Sequence, residues 1–464
     1  MKLPTLKHLP VAVIGGGPVG LAAAAHLIAR GLPVKLYEAG PDVGSNVRAW
    51  GHVRLFTPWR YCIDQAATAL LNRYGWRLPP PDHHPTGTEL VSAYVEPLAG
   101  TPQLAAAIET GARVTAISRQ GADKVVTRER ETRPFVLAVS LKDGVRHDLA
   151  RAIVDASGTW TTPNPLGAGG LPAVGESEFA DRIAYGIPDV LGRDRHVYAG
   201  RKTLVVGSGH SAANALLELN QLAEIDPRTS FLWATRGNDF ARMFGGEEAD
   251  QLRERGALGA HVRELVDRGR VKLTAGFAIV ALREDRGEIV VEGETAKGLR
   301  SIGPVDRIIA TTGQRPDLLL TRELRLDLDP WLESAKALGP LIDPNVHFCG
   351  SVPPHGHREL SHPEPGFYTV GIKSYGRAPT FLLLTGYEQV RSVAAAIAGD
   401  IAAADDVQLV LPETGVCSTR SVGVEEALAS CCGGPAPARA DVCCVANVVA
   451  EDLGEPSCGC GVTA

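Results

Sequence analysis

Two glycine-rich turns and a cluster of cysteines are the chemically loaded parts of this 464-residue sequence. The first turn, GGGPVG, runs through Gly15, Gly17, Pro18 and Gly20. It follows the apolar run Val11–Ile14 and precedes LAAAAHLIAR, a stretch of strong helix formers. Gly31 ends that stretch, and Val34-Lys35-Leu36-Tyr37-Glu38 reads as a second strand with an acid at its end. Strand, glycine turn, helix and acid-ended strand is the arrangement that binds a dinucleotide. Gly15 allows the tight turn, Gly17 lets backbone approach a pyrophosphate at the helix N-terminus, and Gly20 lets helix and strand pack closely. Glu38 can accept hydrogen bonds from ribose hydroxyls. A second copy lies far downstream. Thr203–Val206 reads as a strand, GSGHSA supplies Gly207, Ser208, Gly209, His210 and Ser211, and AANALLELNQLA continues as a helix. The next strand, Phe231–Ala234, is followed not by an acid but by Thr235-Arg236, and an arginine there suits a 2′-phosphate and so NADPH over NADH.

The third loaded region is residues 401–464. It holds seven of the nine cysteines: Cys417, Cys431, Cys432, Cys443, Cys444, Cys458 and Cys460. It has no histidine, no aromatic residue and no lysine, and nine acids against two arginines give it a net charge of −7. The whole chain carries −6, so the rest is nearly neutral. Zinc sites space their thiolates as C-x₂₋₄-C, often with histidine. Adjacent pairs suit soft ions of low coordination number, or thiol–disulfide exchange. Three readings stand: a soft-metal or metalloid site on Cys431, Cys432, Cys443, Cys444, Cys458 and Cys460; a mobile redox arm; and an alanine–glycine tail with incidental cysteines. Leu411–Gly415 matches the sorting pattern LPxTG, but without an export peptide, a membrane helix or a basic end it reads as a linker.

The elements that must position these groups follow from length and pattern. The length suggests two or three domains. With 44% hydrophobic and 22% charged residues the composition is globular, and nothing basic argues for nucleic acid or an anionic membrane. The first apolar run stops at Gly15, too short for a secretory or membrane segment, so a cytoplasmic protein with reduced thiols is expected. Ala152–Gly158 and Arg307–Gly313 are apolar strands ending in small residues, where the chain is expected to pass between domains. Asn345–Gly350 reads as another strand-to-glycine edge, and 378–399 as a helix whose start could point at a pyrophosphate or ring edge. Trp50, His52, Arg54 and Trp59 cluster where a pocket could form. His355 and His357 could polarise a substrate, and Lys373 and Arg377 could face phosphates.

Two dinucleotide turns with small-residue strands between them resemble the two-dinucleotide-binding flavoproteins over about residues 1–400. That resemblance implies FAD on the first fold and NADPH on the second. GSGHSA followed by WATR is most similar to the flavin-containing monooxygenase branch, in which a Ser/Thr-Arg pair, here Thr235 and Arg236, holds the 2′-phosphate. IIATTGQRPD resembles that branch's ATG element. The branch's FxGxxxH element and flavin-side asparagine are not evident, and FCGS stands in for the usual glycine-aspartate. The paired cysteines of the disulfide-reductase branch are missing, since Cys62 is the only cysteine in the N-terminal half. The SCCGG pair resembles the C-terminal cysteines of mercuric reductases, and the whole chain resembles flavoproteins encoded with bacterial arsenic-resistance genes.

The expected fold is α/β, with two Rossmann-like domains for FAD and NADPH and a largely irregular cysteine-rich tail. Residues 1–165 and 304–400 form the FAD domain, 166–303 the NADPH domain with its linkers, and 401–464 the tail. Cofactor contacts fall to Gly15, Gly17, Pro18, Gly20, Glu38, Gly158, Gly207, Ser208, Gly209, His210, Ser211, Thr235, Arg236, Gly313 and Gly350. Trp59, His355, Cys431 and Cys432 are candidate catalytic residues. The expected activity is an NADPH-dependent, monooxygenase-like oxidation in metalloid detoxification, on a small-molecule or metalloid substrate. A reductase with a cysteine arm and a metalloid-binding flavoprotein without turnover are the alternatives, and a homodimer stays open.

Overall fold

Short apolar runs that end in glycine become the central strands of two parallel sheets. The computed structural model describes residues 6–238, Phe240, Phe244, 253–346 and 352–409. The chain divides into Met1–Cys417 and Ser418–Ala464, and the second unit lies outside the described residues.

The strands, in chain order, are β1 (Val11–Ile14), β2 (Val34–Tyr37), β3 (Ile108–Glu109), β4 (Arg113–Arg119), β5 (Phe135–Leu141), β6 (Gly144–Ala150), β7 (Ala152–Asp155), β8 (Ile183–Tyr185), β9 (Lys202–Val206), β10 (Ser230–Ala234), β11 (Lys272–Thr274), β12 (Ala278–Asp285), β13 (Glu288–Thr295), β14 (Gly298–Val305), β15 (Arg307–Ala310) and β16 (Phe367–Thr369). The first sheet runs β16-β7-β1-β2-β3 and the second β11-β10-β9-β15-β8, all pairs parallel. Each sheet has an antiparallel meander beside it, β4-β5-β6 and β12-β13-β14 respectively.

Parallel strands buried on both faces need apolar residues at every position, which is why Val11–Ile14 carries no alternation. Val11 and Val13 face helices α1 (Pro18–Ala29) and α4 (Leu383–Ala398), whereas Ala12 and Ile14 face the β4–β6 meander around Phe135 and Leu137. The second sheet repeats the plan. Val205 packs under α2 (His210–Ile225) and α3 (Arg253–Asp267), while Leu204 and Val206 pack on Ile289, Val291 and Val305 of the second meander.

The second sheet is inserted between β7 and β16 of the first, so the chain crosses between the folds twice. The crossings lie side by side. Asn164 N–H donates to the Gly313 carbonyl at 2.9 Å, Arg315 N–H to the Thr162 carbonyl at 3.0 Å, and the Asn164 amide to the Thr312 carbonyl at 3.2 Å.

The edge strand of the first sheet is β16. Of the expected edge at Asn345–Gly350, Asn345 donates its backbone N–H and its side-chain amide to Asp343, both at 2.8 Å, and residues 347–350 lie outside the described residues. One boundary differs from expectation. Residues 401–409, assigned to the tail by composition, are held on the body. Arg391 donates to the Ala403 carbonyl at 2.6 Å and to the Asp406 carbonyl, Ser392 Oγ to the Ala404 carbonyl at 2.7 Å, and Arg358 to Asp405 at 2.6 and 2.8 Å.

Candidate functional site

The turn after β1 is built by two close approaches. Gly15 has φ +104°, and a Cβ there would lie 2.6 Å from the Ala156 carbonyl oxygen at the end of β7. A Cβ on Gly20 would lie 2.0 Å from the Gly15 oxygen. Gly17 is different. It is the N-cap of α1, no side chain caps that helix end, and a Cβ on it would meet no protein atom within 4 Å. An uncapped helix N-terminus with open space over its cap residue is an anion cradle. Pro18 occupies the first helical position, where its missing N–H costs nothing. Glu38 closes the other end of the cleft. Its carboxylate is buried and accepts from Gly16 N–H and Gly40 N–H, each at 2.7 Å. A carboxylate has about four lone-pair positions, so two remain for a ribose diol.

The turn after β9 has the same construction. Gly207 has φ +132°, and its Cβ would meet Thr311 at the end of β15 at 2.3 Å. Gly209 caps α2 without a side-chain cap, again with nothing within 4 Å of a Cβ. Ser208 is exposed beside it, and His210 and Ser211 open the helix, with the His210 ring 5.4 Å from that of Phe56. At the end of β10, Arg236 is exposed and donates one guanidinium N–H to the Ala168 carbonyl at 2.9 Å. Thr235 is 1% exposed and donates to the Gly237 carbonyl at 2.9 Å. The phosphate contact assigned to that pair therefore rests on Arg236, because Thr235 is turned inward to hold the bend. Both cradles fit a dinucleotide, with opposite charge at equivalent strand ends: Glu38 in the first, Arg236 in the second.

The rim of the first cleft joins Gly158, an expected cofactor contact, to Gly371 and Ile372, which patterning did not reveal. Beyond β7, Gly158 has φ +73°. Beyond β16, the chain passes through Val370 to Gly371 and the exposed Ile372, whose methyl lies 3.9 Å from a Cβ built on Gly158. Beneath them is a buried ion pair. Lys373 Nζ donates to Asp155 Oδ2 at 2.7 Å and to Ser157 Oγ at 3.0 Å, while Asp155 Oδ1 accepts from Ser157 Oγ at 2.7 Å. Gln389 of α4 accepts from Gly371 N–H at 2.8 Å and donates to Ser374 Oγ and His355 Nε2, each at 2.9 Å. The run FYTVGIKS, apolar and ending in glycine, is the signal that could have marked this edge.

Several expected site residues serve the fold instead. Lys373 is consumed by Asp155 rather than offered to a phosphate, whereas Arg377 is exposed. Trp59 is 2% exposed within the apolar core of the first fold, because its backbone N–H is pinned to the His83 carbonyl at 2.9 Å. His355 is buried between the Pro353 carbonyl at 3.0 Å and Gln389, and burial lowers its pKa. Gly313 sits in the crossing between the folds. Cys62 is buried, and burial pushes its thiol up to about 11. Cys431, Cys432, Cys443, Cys444, Cys458 and Cys460 lie outside the described residues. Among the described residues no group of three or more His, Cys, Asp or Glu could hold a metal ion, and no helix is long and apolar enough to cross a membrane.

Residues 10–88, which span the first cleft from β1 past Glu38, match the family described as FAD dependent oxidoreductase. The chain is 25% identical over 308 residues to a ferredoxin–NADP reductase of Frankia alni, covering 66% of this chain and 74% of that protein. Among solved structures it is similar to the bacillithiol disulfide reductase Bdr (YpdA) of Bacillus cereus, with TM-score 0.63 and 18% identity over 84% of this chain and 99% of that one. It is also similar to the FAD-bound cadaverine monooxygenase DfoA of Erwinia amylovora, with TM-score 0.61 and 14% identity over 87% and 98%. The enzyme thus has the fold of the two-dinucleotide-binding flavoproteins.

Proposed function

We propose that the enzyme is an FAD- and NADPH-dependent oxidoreductase, monooxygenase-like in its chemistry, that acts on a small-molecule substrate in metalloid detoxification. The carrying observation is the asymmetry of the two cradles. Glu38 suits an unphosphorylated ribose and Arg236 a phosphorylated one, so FAD is assigned to the first cleft and NADPH to the second. The N-termini of α1 and α2 would hold the two pyrophosphates, Gly158, Gly371 and Ile372 would border the FAD, and the Asp155–Lys373 pair would keep that border rigid. FAD, when bound, supplies hydride acceptance and onward electron delivery. The protein's own part is to orient the two nucleotides and exclude water. Cys62 supports oxygenase over disulfide chemistry in the N-terminal half, because it is the only cysteine there and is held as the buried thiol.

The metalloid substrate rests on the C-terminal cysteines, whose adjacent pairs suit a soft trivalent centre. The same cysteines support a second reading, in which they carry electrons from the flavin to a thiol-bound acceptor. One experiment separates the two: NADPH oxidation with and without dioxygen, with and without a trivalent arsenical. The monooxygenase reading expects arsenical-stimulated turnover that requires dioxygen. Turnover that persists without dioxygen and is lost on deleting residues 412–464 selects the reductase. No arsenical effect in either atmosphere removes the metalloid substrate.

A further inference from the structure

His52 and Glu218 face each other across the contact between the two nucleotide folds. His52 lies just beyond the short helix Ser45–Ala49 of the first fold, and Glu218 in the third turn of α2 in the second. His52 Nε2 is buried, has no hydrogen-bond partner, and lies 3.8 Å from Glu218 Oε1. Glu218 Oε2 accepts from Val190 N–H at 3.2 Å. Four residues beyond His52, Phe56 packs its ring at a tilt against that of His210 in the first turn of α2, with centroids 5.4 Å apart. The loop His52–Phe56 therefore touches the helix that forms the second cradle at two points, one aromatic and one titratable.

The charged groups facing this pair are Asp189, Arg193 and Asp194 on the turn after Pro188. They are largely committed to each other. Asp189 accepts from Gly192 N–H at 2.9 Å and Arg193 N–H at 3.0 Å, and Asp194 accepts from Asp189 N–H at 3.0 Å and the Arg193 guanidinium at 3.1 Å. That leaves the bare imidazole nitrogen and the carboxyl oxygen to settle their contact between themselves. With no proton between them, two acceptors face each other and repel. With one proton, a carboxylic acid donates to an imidazole nitrogen, or an imidazolium pairs with a carboxylate. Both arrangements attract, and an approach of under about 1 Å gives a normal hydrogen bond.

We propose that a single proton held between His52 and Glu218 latches the loop His52–Phe56 of the first fold onto α2 of the second. Its loss frees α2, with its cradle, to move against the first fold. Electrostatics sets where this happens. Burial, aided by Asp189 and opposed by Val190 N–H, pushes the Glu218 carboxyl up to about 7, and burial lowers His52. The proton thus rests on Glu218 at acidic pH and leaves near neutrality. The two residues are positioning residues, and the latch does not depend on which nucleotide each cleft takes.

Hydrogen exchange on the full-length protein tests this, with labelling times scaled for intrinsic exchange. Protection of the peptide spanning His52–Phe56 should fall roughly tenfold between about pH 6 and about pH 8.5. Glu218→Gln keeps an N–H donor for His52 and has no proton to lose, so its protection should stay at the acidic wild-type level at both pH values. His52→Leu should abolish the pH dependence at the low level of protection. Equal wild-type protection at both pH values overturns the latch, as does a Glu218→Gln profile that follows the wild type. Should Glu218→Gln not fold, a pH step that survives in His52→Leu overturns it as well.

Discussion

Gly17 and Gly20 lie three residues apart in one turn, yet replacing each with alanine should damage different things. A Cβ at Gly20 falls 2.0 Å from the Gly15 oxygen, backbone against backbone, so the turn must open whether or not a ligand is bound. Overpacking of that kind costs about 1–3 kcal/mol. A Cβ at Gly17 meets no protein atom within 4 Å, and its φ of −81° suits any residue. Alanine is a poorer N-cap than glycine, which costs up to about 1 kcal/mol. The space it fills is the space over the helix end, where a pyrophosphate would lie. Displacing a phosphate from one backbone N–H removes a charge-assisted bond of about 1.5–3 kcal/mol, a factor of roughly 10 to 100 in Kd. The assay is FAD fluorescence titration of deflavinated protein, beside thermal unfolding of the same apoprotein. Gly17→Ala should lose FAD affinity by that factor with an almost unchanged apo Tm. Gly20→Ala should lower the apo Tm first. Wild-type FAD affinity in Gly17→Ala, or an apo Tm lowered as far as in Gly20→Ala, would refute the placement of the cradle.

Arg236→Ala should raise the KM for NADPH by roughly 10-fold to 100-fold and leave that for NADH nearly unchanged, measured in steady state; parallel changes would show that Arg236 only holds the Ala168 loop. Glu218 is lifted from an ordinary 4.5 to about 7, so the folded state binds more protons between those values and stability should fall as pH rises through that window. The loss is about 3 kcal/mol, and urea unfolding of Glu218→Gln should show a flatter pH profile. Lys373→Met strands the Asp155 carboxylate and should cost about 3–5 kcal/mol in urea unfolding, with much of it regained when Asp155→Asn is added.

The strands bearing the glycine turns were legible because a parallel strand buried on both faces is an unbroken apolar run, and the turn that follows must contain glycine. Val11–Ile14 and Leu204–Val206 show this. The meanders were not legible: β4 and β14 each face solvent on one side, β4 mixing arginine, threonine and serine with its apolar positions and β14 arginine and serine, so no run stands out. β16 was missed because a strand of three residues, Phe367–Thr369, offers little pattern of its own beside the longer apolar run at Asn345–Gly350. At the candidate site, spacing pointed to Gly17, Gly209, Glu38 and Arg236, because their positions in the two turns and at the strand ends follow from local sequence. It could not identify Asp155 with Lys373, or His52 with Glu218. Those pairs are 218 and 166 residues apart in sequence, and only the packing of one element on another brings them together.

The side-by-side crossings at Asn164 and Gly313 have a consequence for biosynthesis. The second sheet is complete once β15 has been made, at Ala310, but the first sheet lacks its edge strand until Thr369. A ribosome adding about 5–20 residues per second leaves roughly 3–12 s between these events. During that interval β7 carries an open edge, with the finished second fold tethered at its C-terminal end through Asn164. The order of assembly is therefore inverted relative to the order of the chain. The fold that begins first closes last, and the second fold, docked along the Asn164–Gly313 crossing, delivers the segment that closes it.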